Sequence, residues 1–291
     1  MDRKRTNLPP ELLPMQPGLE ILHLAALVAE QGALGDGGLD VGLENLDTGA
    51  LNRVAPSEMW PELARGLMSP APSVMIRSLH DCGALKIVLP EIDALFGVPQ
   101  IADTPAEVDI GEHLLAALDE AARCKAPLEV RFALLTMNVG KSDSPREHLP
   151  VHYRHIERGH PRIKAIGARF AVPKPCLELA LLALAECERI HRVSEVRAGP
   201  VAALLDRVGA FDNPARFKLL MTVSSCDYLA YGKRPGKLYP KATLLEAALK
   251  VCTELGEAEF AGESAADDVQ AARAVAIAQA FRSQRWSSEQ T

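Results

Sequence analysis

Aromatic residues are scarce in this chain. They make up 4% of 291 residues, with two Trp and four Tyr. Sandwiches and barrels draw on aromatic and β-branched side chains, and period-two alternation is almost absent here. The cores must therefore be built from Leu, Ala and Val, a composition that favours helices. No Cys-x-x-Cys pair occurs among Cys82, Cys124, Cys176, Cys187, Cys226 and Cys252. Most of them lie among Leu and Ala, so they are expected as buried, reduced thiols, which fits the cytoplasm. No apolar run is long enough to span a bilayer. The longest, "CLELALLALAEC", is short and contains Glu178, and "MDRKRTNLPPELLP" has no apolar signal region. No membrane partner is expected. An excess of positive charge is also missing, because the net charge is −6. A protein that holds nucleic acid by bulk charge is usually basic, so any RNA contact must use a local patch. The glycines of "GDGGLDVGLENLDTG" are followed by no Gly-Lys-Ser/Thr, and the segment reads as a loop.

What is present is helical periodicity. Residues 19–34 repeat apolar side chains at steps of three and four. "APSEMWPELARGLM" (55–68) and "APSVMIRSLHDCGAL" (71–85) read as helices capped by Ser57 and Ser73, and 90–100 as a short helix ended by Gly97 and Pro99. Residues 109–124 carry the stripe Ile110, Leu114, Leu118 and Ala121, and 128–140 follow as helix. Residues 144–161 read as a His-rich loop. Helices resume at 162–171, 173–188, 196–209, 213–231, 240–255 and 266–283. Trp60 and Leu63 read as core, and Val269, Ala272, Ala276 and Phe281 as the docking face of the last helix. The expected fold is all-α, with short-loop helical neighbours.

Six segments occur in a characteristic order: "MWPELARGL", "LHDCGAL", "LPEIDALFGVPQ", "EVDIGEH", "VRFALL" with "VGK", and "YPKATLLEAAL". In that order they resemble the neck, body and tail of the bacterial tRNA CCA-adding enzymes that carry an HD domain, over roughly residues 50–285. Residues 1–18, basic and then Pro-rich, read as a disordered N-terminal segment, and the resemblance implies a neck-like helical region at 19–100. A degenerate HD-like helical domain at 101–232 and tail helices at 233–291 would follow. In such enzymes a nucleotidyltransferase head precedes the neck and holds Mg²⁺ on a paired Asp-x-Asp. Residues 1–50 are too short for that head. Their acids Asp36, Asp40, Glu44 and Asp47 are never spaced by one residue. Nucleotide addition is therefore not expected of these residues.

The resemblance also implies a set of divalent-metal ligands, and here the sequence departs from it. His113 matches the first His. Met137 and Asn138 stand where a His-Asp pair belongs, before Gly140-Lys141. His152 and His155 match a His-x-Gly-His, with Arg154 in place of the Gly, and Glu188 takes a further His slot with His191 following. Leu229 takes the late Asp position. Asp227 lies two residues away, about 200° around a helix, and is expected to point elsewhere. A thioether, an amide and a hydrocarbon cannot anchor a hard hydrolytic cation, so the pocket reads as decayed or repurposed. His113, His152, His155 and His191 remain as residual metal candidates. Together with His160 or Glu188, such a cluster suits Ni, Mn, Co or Zn if rebuilt.

Two basic clusters are the RNA-binding candidates. One is Arg154, Arg158, Arg162 and Lys164. The other is Lys233, Arg234, Lys237 and Lys241, interleaved with Tyr231 and Tyr239. Within it Tyr231-Gly232-Lys233 replaces an Arg-Gly-Arg-like element of the resembling enzymes. Three functions stay open. The chain is a non-catalytic module for tRNA or another structured RNA in tRNA processing. Alternatively it is a metal-dependent phosphohydrolase of nucleotides or 2′,3′-cyclic phosphodiesters. The third reading is a scaffold that pairs with a separate nucleotidyltransferase chain or with itself through the neck.

Overall fold

Proline opens several of the helices. In the computed structural model, which describes residues 18–31, 47–102, 105–193, 197–231, 238–254 and 266–288, α2 (Pro56–Leu67) and α3 (Pro72–Asp81) both begin on a Pro. Proline has the right φ for a first helical position and no N–H to leave unpaired. The caps are accordingly Ala55 and Ala71, not the expected Ser57 and Ser73. Ser57 lies inside the first turn, and the Ser73 amide donates to Asp119 Oδ1 at 3.2 Å.

The described residues fall into two compact units, 18–184 with 226–231, and 185–225 with 238–288. In the first, α1 (Glu20–Gln31) packs on α2 and α3. Ile21, Leu22, Leu24, Ala25, Ala26 and Ala29 of α1 are buried. Two single-turn helices, α4 (Leu85–Val88) and α5 (Pro90–Asp93), lead into the one departure from helix among the described residues. This is a ribbon of β1 (Pro99–Ile101) and β2 (Glu107–Asp109), antiparallel with Gln100 opposite Val108. Strands of three residues are too short to show alternation, so periodicity gave no sign of them. β2 runs straight into α6 (Ile110–Arg123), where Asp109 accepts from the Glu112 amide at 2.9 Å as N-cap.

α7 (Leu128–Thr136) is buried along nearly its whole length and carries Arg131 into the core. Among the described residues its guanidinium has no carboxylate partner. It donates to the carbonyls of Ala126, Leu67 and Ser69 at 2.9, 2.7 and 2.8 Å. Two of those carbonyls end α2, so the cation sits at the negative end of that helix. Burial holds the Arg131 pKa below the usual guanidinium value. Trp60 of α2 meets Phe132 edge-on at 5.8 Å, with Leu63 buried beside them, as expected of a core stripe.

α8 (His155–Phe170) takes up the last seven residues of the expected loop 144–161 and holds Pro161 in its interior. A proline there removes one helical hydrogen bond, and sequence alone favours a break. Packing overrides it, because α8 lies against the 3₁₀ turn Val139–Lys141 at two glycines. A Cβ on Gly140 would meet His155 O at 1.9 Å and Gly159 N at 2.6 Å. The turn and the helix approach backbone to backbone, which only glycine allows.

α9 (Lys174–His191) and α11 (Pro214–Ala230) each contribute residues to both units. The second unit adds α10 (Ala198–Arg207), α12 (Pro240–Glu254) and α13 (Ala266–Ser288). Glu186 is buried there and bridges Arg189 and Arg207 at 3.1 Å. α13 packs on α10 and α12 through Ala276, Ile277 and Phe281. Of the expected docking face, Ala276 and Phe281 are buried, whereas Val269 and Ala272 are half-exposed. Residues 1–17 of the expected disordered segment and most of the Gly-rich loop lie outside the described residues. Among the described residues no helix is long and apolar enough to cross a membrane.

Candidate functional site

His113 sits one turn into α6 and faces inward. Its Nε2 donates to Asp227 Oδ1 of α11 at 2.9 Å, with 1% and 8% of the two side chains exposed. This corrects the expectation for the late acid. Asp227 turns toward His113, while Leu229 is half-buried. The two side chains lie about 200° apart around α11, and Asp227 is the one that faces His113. Nδ1 of His113 is buried without a hydrogen bond. A carboxylate accepts only, so Nε2 carries the hydrogen in this pair.

Tyr231 covers the pair. Its ring lies 3.9 Å from the His113 ring, one helical turn beyond Asp227. Its hydroxyl accepts from Gln100 Nε2 at 2.9 Å, and Gln100 Oε1 accepts from Lys141 Nζ at 3.1 Å. A continuous polar chain thus runs Lys141, Gln100, Tyr231, with His113 and Asp227 beneath. Sequence reasoning placed Tyr231 in a base-stacking cluster and missed Gln100. The four-residue step from Asp227 to Tyr231 was the available signal, since such residues share a helix face. Nothing in the sequence pointed to Gln100, which enters from the ribbon.

Met137 ends α7 and Asn138 follows in the sparsely populated bridge region at φ −97° and ψ 0°. Both are 6% exposed. The remaining histidines are engaged elsewhere. His152 contacts Ser144 Oγ at 2.8 Å through Nδ1 and Pro99 O at 2.9 Å through Nε2. Burial, partly offset by the Pro99 carbonyl, holds its pKa below the usual histidine value. His155 Nδ1 donates to His152 O at 2.8 Å. His191 belongs to the second unit, where Nδ1 meets Tyr239 Oη at 2.5 Å. His160 is exposed, and Glu188 is partnered by Arg192 at 3.4 Å.

Half of the first basic cluster is turned inward. Arg158 donates to Gly140 O, Tyr153 O and Ser144 Oγ at 3.0, 2.7 and 2.9 Å. Arg162 reaches Val139 O and Ser142 Oγ at 2.9 Å and grips both oxygens of Asp143. Burial alone would raise the Asp143 carboxyl. The hydrogen bond to Arg162, with the charges of Arg162 and Arg158, outweighs burial and holds it below the usual carboxylate range. Arg154 and Lys164 are exposed, and Arg154 pairs with Glu157. In the second cluster Lys241 donates to Val193 O, whereas Lys233, Arg234 and Lys237 lie outside the described residues.

Among the described residues no three His, Cys, Asp or Glu side chains converge as a metal-binding group. A hydrolytic divalent cation asks for several anionic or imidazole donors. His113 and Asp227 supply two, and they are bonded to each other. The described residues around His113 do not fit a resident metal of that kind.

These features define an all-helical chain with a buried His-Asp pair beneath a tyrosine. No family model matches it. Over 247 residues it is 38% identical to the multifunctional CCA protein of Acidovorax sp. (strain JS42), an alignment of 81% of this chain and 57% of that protein. Over 241 residues it is 41% identical to the multifunctional CCA proteins of Burkholderia mallei (strain SAVP1) and Burkholderia pseudomallei (strain 668), covering 81% of this chain and 58% of each. The chain is thus homologous to multifunctional CCA proteins over 81% of its length, and it spans less than two thirds of theirs.

Proposed function

We propose that this chain is a non-catalytic, tRNA-binding helical module of tRNA processing. The observation that carries the reading is the pocket chemistry. In a chain homologous to multifunctional CCA proteins, His113 is bonded to Asp227, and a thioether and an amide stand at 137 and 138. Among the described residues fewer than three His, Cys, Asp or Glu side chains converge there, too few to hold a divalent cation that would ready a water for attack on phosphorus. Recognition of RNA needs no such site. It needs cations and stacking surfaces that meet the backbone. Arg154 and Lys164 are exposed for that role, and the cluster at 233–237 supplies three more cations.

Gel shift of the chain with tRNA across several salt concentrations tests the reading. Binding at low salt that weakens as salt rises is expected. Arg154→Ala and Lys164→Ala should each lower the salt slope by about 1 without altering helix content. Absence of binding at low salt ends the proposal. Hydrolysis of a generic phosphodiester with Mn²⁺, Ni²⁺ or Co²⁺, lost on chelation, would replace it with the phosphohydrolase reading.

A further inference from the structure

Five of the six cysteines are wholly or partly shielded, and one is not. Cys176, Cys187, Cys226 and Cys252 are buried and Cys82 is half-buried, whereas Cys124 is exposed at the end of α6. This overturns, for Cys124, the expectation of a buried thiol. Its Sγ lies 3.9 Å from Sγ of Cys226, which precedes the Asp227 that holds His113. The two residues are 102 apart in sequence and belong to the same unit.

The surroundings separate the two sulfurs chemically. A hydrogen bond from the Cys226 thiol, the Ala126 amide and the charge of Arg123 lower the Cys124 pKa to about 6, against the opposing effect of burial. Cys226 is pushed up by its hydrogen bond to Cys124, by burial, and by the charges of Cys124, Glu120 and Asp227. Burial also raises Cys176 and Cys252, each to about 11. Thiolate character and access, which together set thiol reactivity, therefore meet at Cys124.

We propose that Cys124 and Cys226 form a reversible disulfide by exchange with a low-molecular-weight disulfide such as oxidised glutathione. The Cys124 thiolate attacks one sulfur of that disulfide. Its S–S bond breaks and one glutathione thiolate leaves. Conversion of Cys124 to the mixed disulfide removes its charge and its acceptance of the Cys226 hydrogen bond, two of the causes that hold the Cys226 proton on. Cys226 then gives its proton to the departed thiolate and attacks Cys124 Sγ, and the second glutathione leaves. The two protein thiols are oxidised and one glutathione disulfide is reduced to two thiols. To reach bonding distance the sulfurs close by roughly 2 Å, a motion open to the exposed Cys124 at a helix end. The bond ties α6 to the segment that carries Asp227 and Tyr231, so it locks the His113 pocket covalently.

The test incubates the full chain with oxidised glutathione, quenches in acid, and alkylates in denaturant before mass analysis and peptide mapping. The wild type should carry two alkyl groups fewer than the reduced chain and show a peptide joining 124 to 226, both reversed by dithiothreitol. Four of the six cysteines should then be alkylated. Its melting temperature should rise by roughly 5 °C on oxidation. Cys226→Ser should stop at one glutathione on Cys124. Cys124→Ser, at an exposed position that leaves the core intact, should take up none and form no cross-link. Six alkylated cysteines in oxidised wild type, a cross-link between other cysteines, or glutathione uptake by Cys124→Ser overturns the proposal.

Discussion

At position 227 a carboxylate meets the imidazole of His113 with both side chains out of water. Removing one partner of such a pair leaves the other buried and unpaired, which costs more than the bond itself contributes. Asp227→Ala should lower stability by about 2–3 kcal/mol in urea denaturation. Asp227→Asn, which keeps an acceptor for Nε2, should lose about half of that. A loss near zero for both would show that the contact stabilises nothing. The same geometry changes what a rebuilt metal site requires. With Asp227 already facing His113, Met137→His with Asn138→Asp should be enough to give a thermal stabilisation by Mn²⁺ or Ni²⁺. Adding Leu229→Asp should contribute nothing further. No metal-dependent shift in the double variant would mean that 137 and 138 do not converge on His113. His152 provides a pH signature. Its folded pKa lies below the ordinary 6.5, so between the two values the unfolded chain binds more protons. Stability should fall as pH drops through and below about 6.5, and His152→Gln should flatten that part of the profile in pH-dependent melting.

At the scale of elements, α8 and the turn at 139–141 depend on a backbone contact and not on side chains. Gly140→Ala puts a methyl group within 1.9 Å of the His155 carbonyl. Neither backbone can yield without moving the helix start, so the variant should lose about 3 kcal/mol or more. Gly199→Ala, which meets nothing within 4 Å, is the control and should be neutral or slightly stabilising. Comparable losses in both would remove the argument. The contact also explains why the first turns of α8 were not legible. Pro161 and the run of histidines read as loop, and only the packing of Gly159 on Gly140 shows why the chain stays helical through them.

For the whole molecule the decisive quantity is how many cations reach solvent. Eight Lys and Arg side chains were candidates for RNA. Arg158, Arg162 and Lys241 are bonded within the chain; the five proposed for phosphate are Arg154, exposed and paired at the surface with Glu157, exposed Lys164, and Lys233, Arg234 and Lys237, which lie outside the described residues. If each neutralises one phosphate, the salt slope for tRNA should be no steeper than about −4, against about −6 for all eight on single-stranded contacts. A measured slope near the larger value would mean that the internal arginines release their partners on binding. Net charge in the sequence bounded the interaction, yet it did not tell which cations were already committed.

The amino-acid sequence by itself settled the helical class, the order of the motifs, and the presence of a thioether and an amide at 137 and 138. Those are matters of composition and local period, and each residue carries them wherever the chain goes. Tertiary structure alone decided that Asp227 faces His113, that Tyr231 and Gln100 close over them, and that Cys124 meets Cys226. Each of these pairs joins residues more than one hundred positions apart, and such contacts follow from how helices pack. A sequence window that spans a few turns contains no information about that packing.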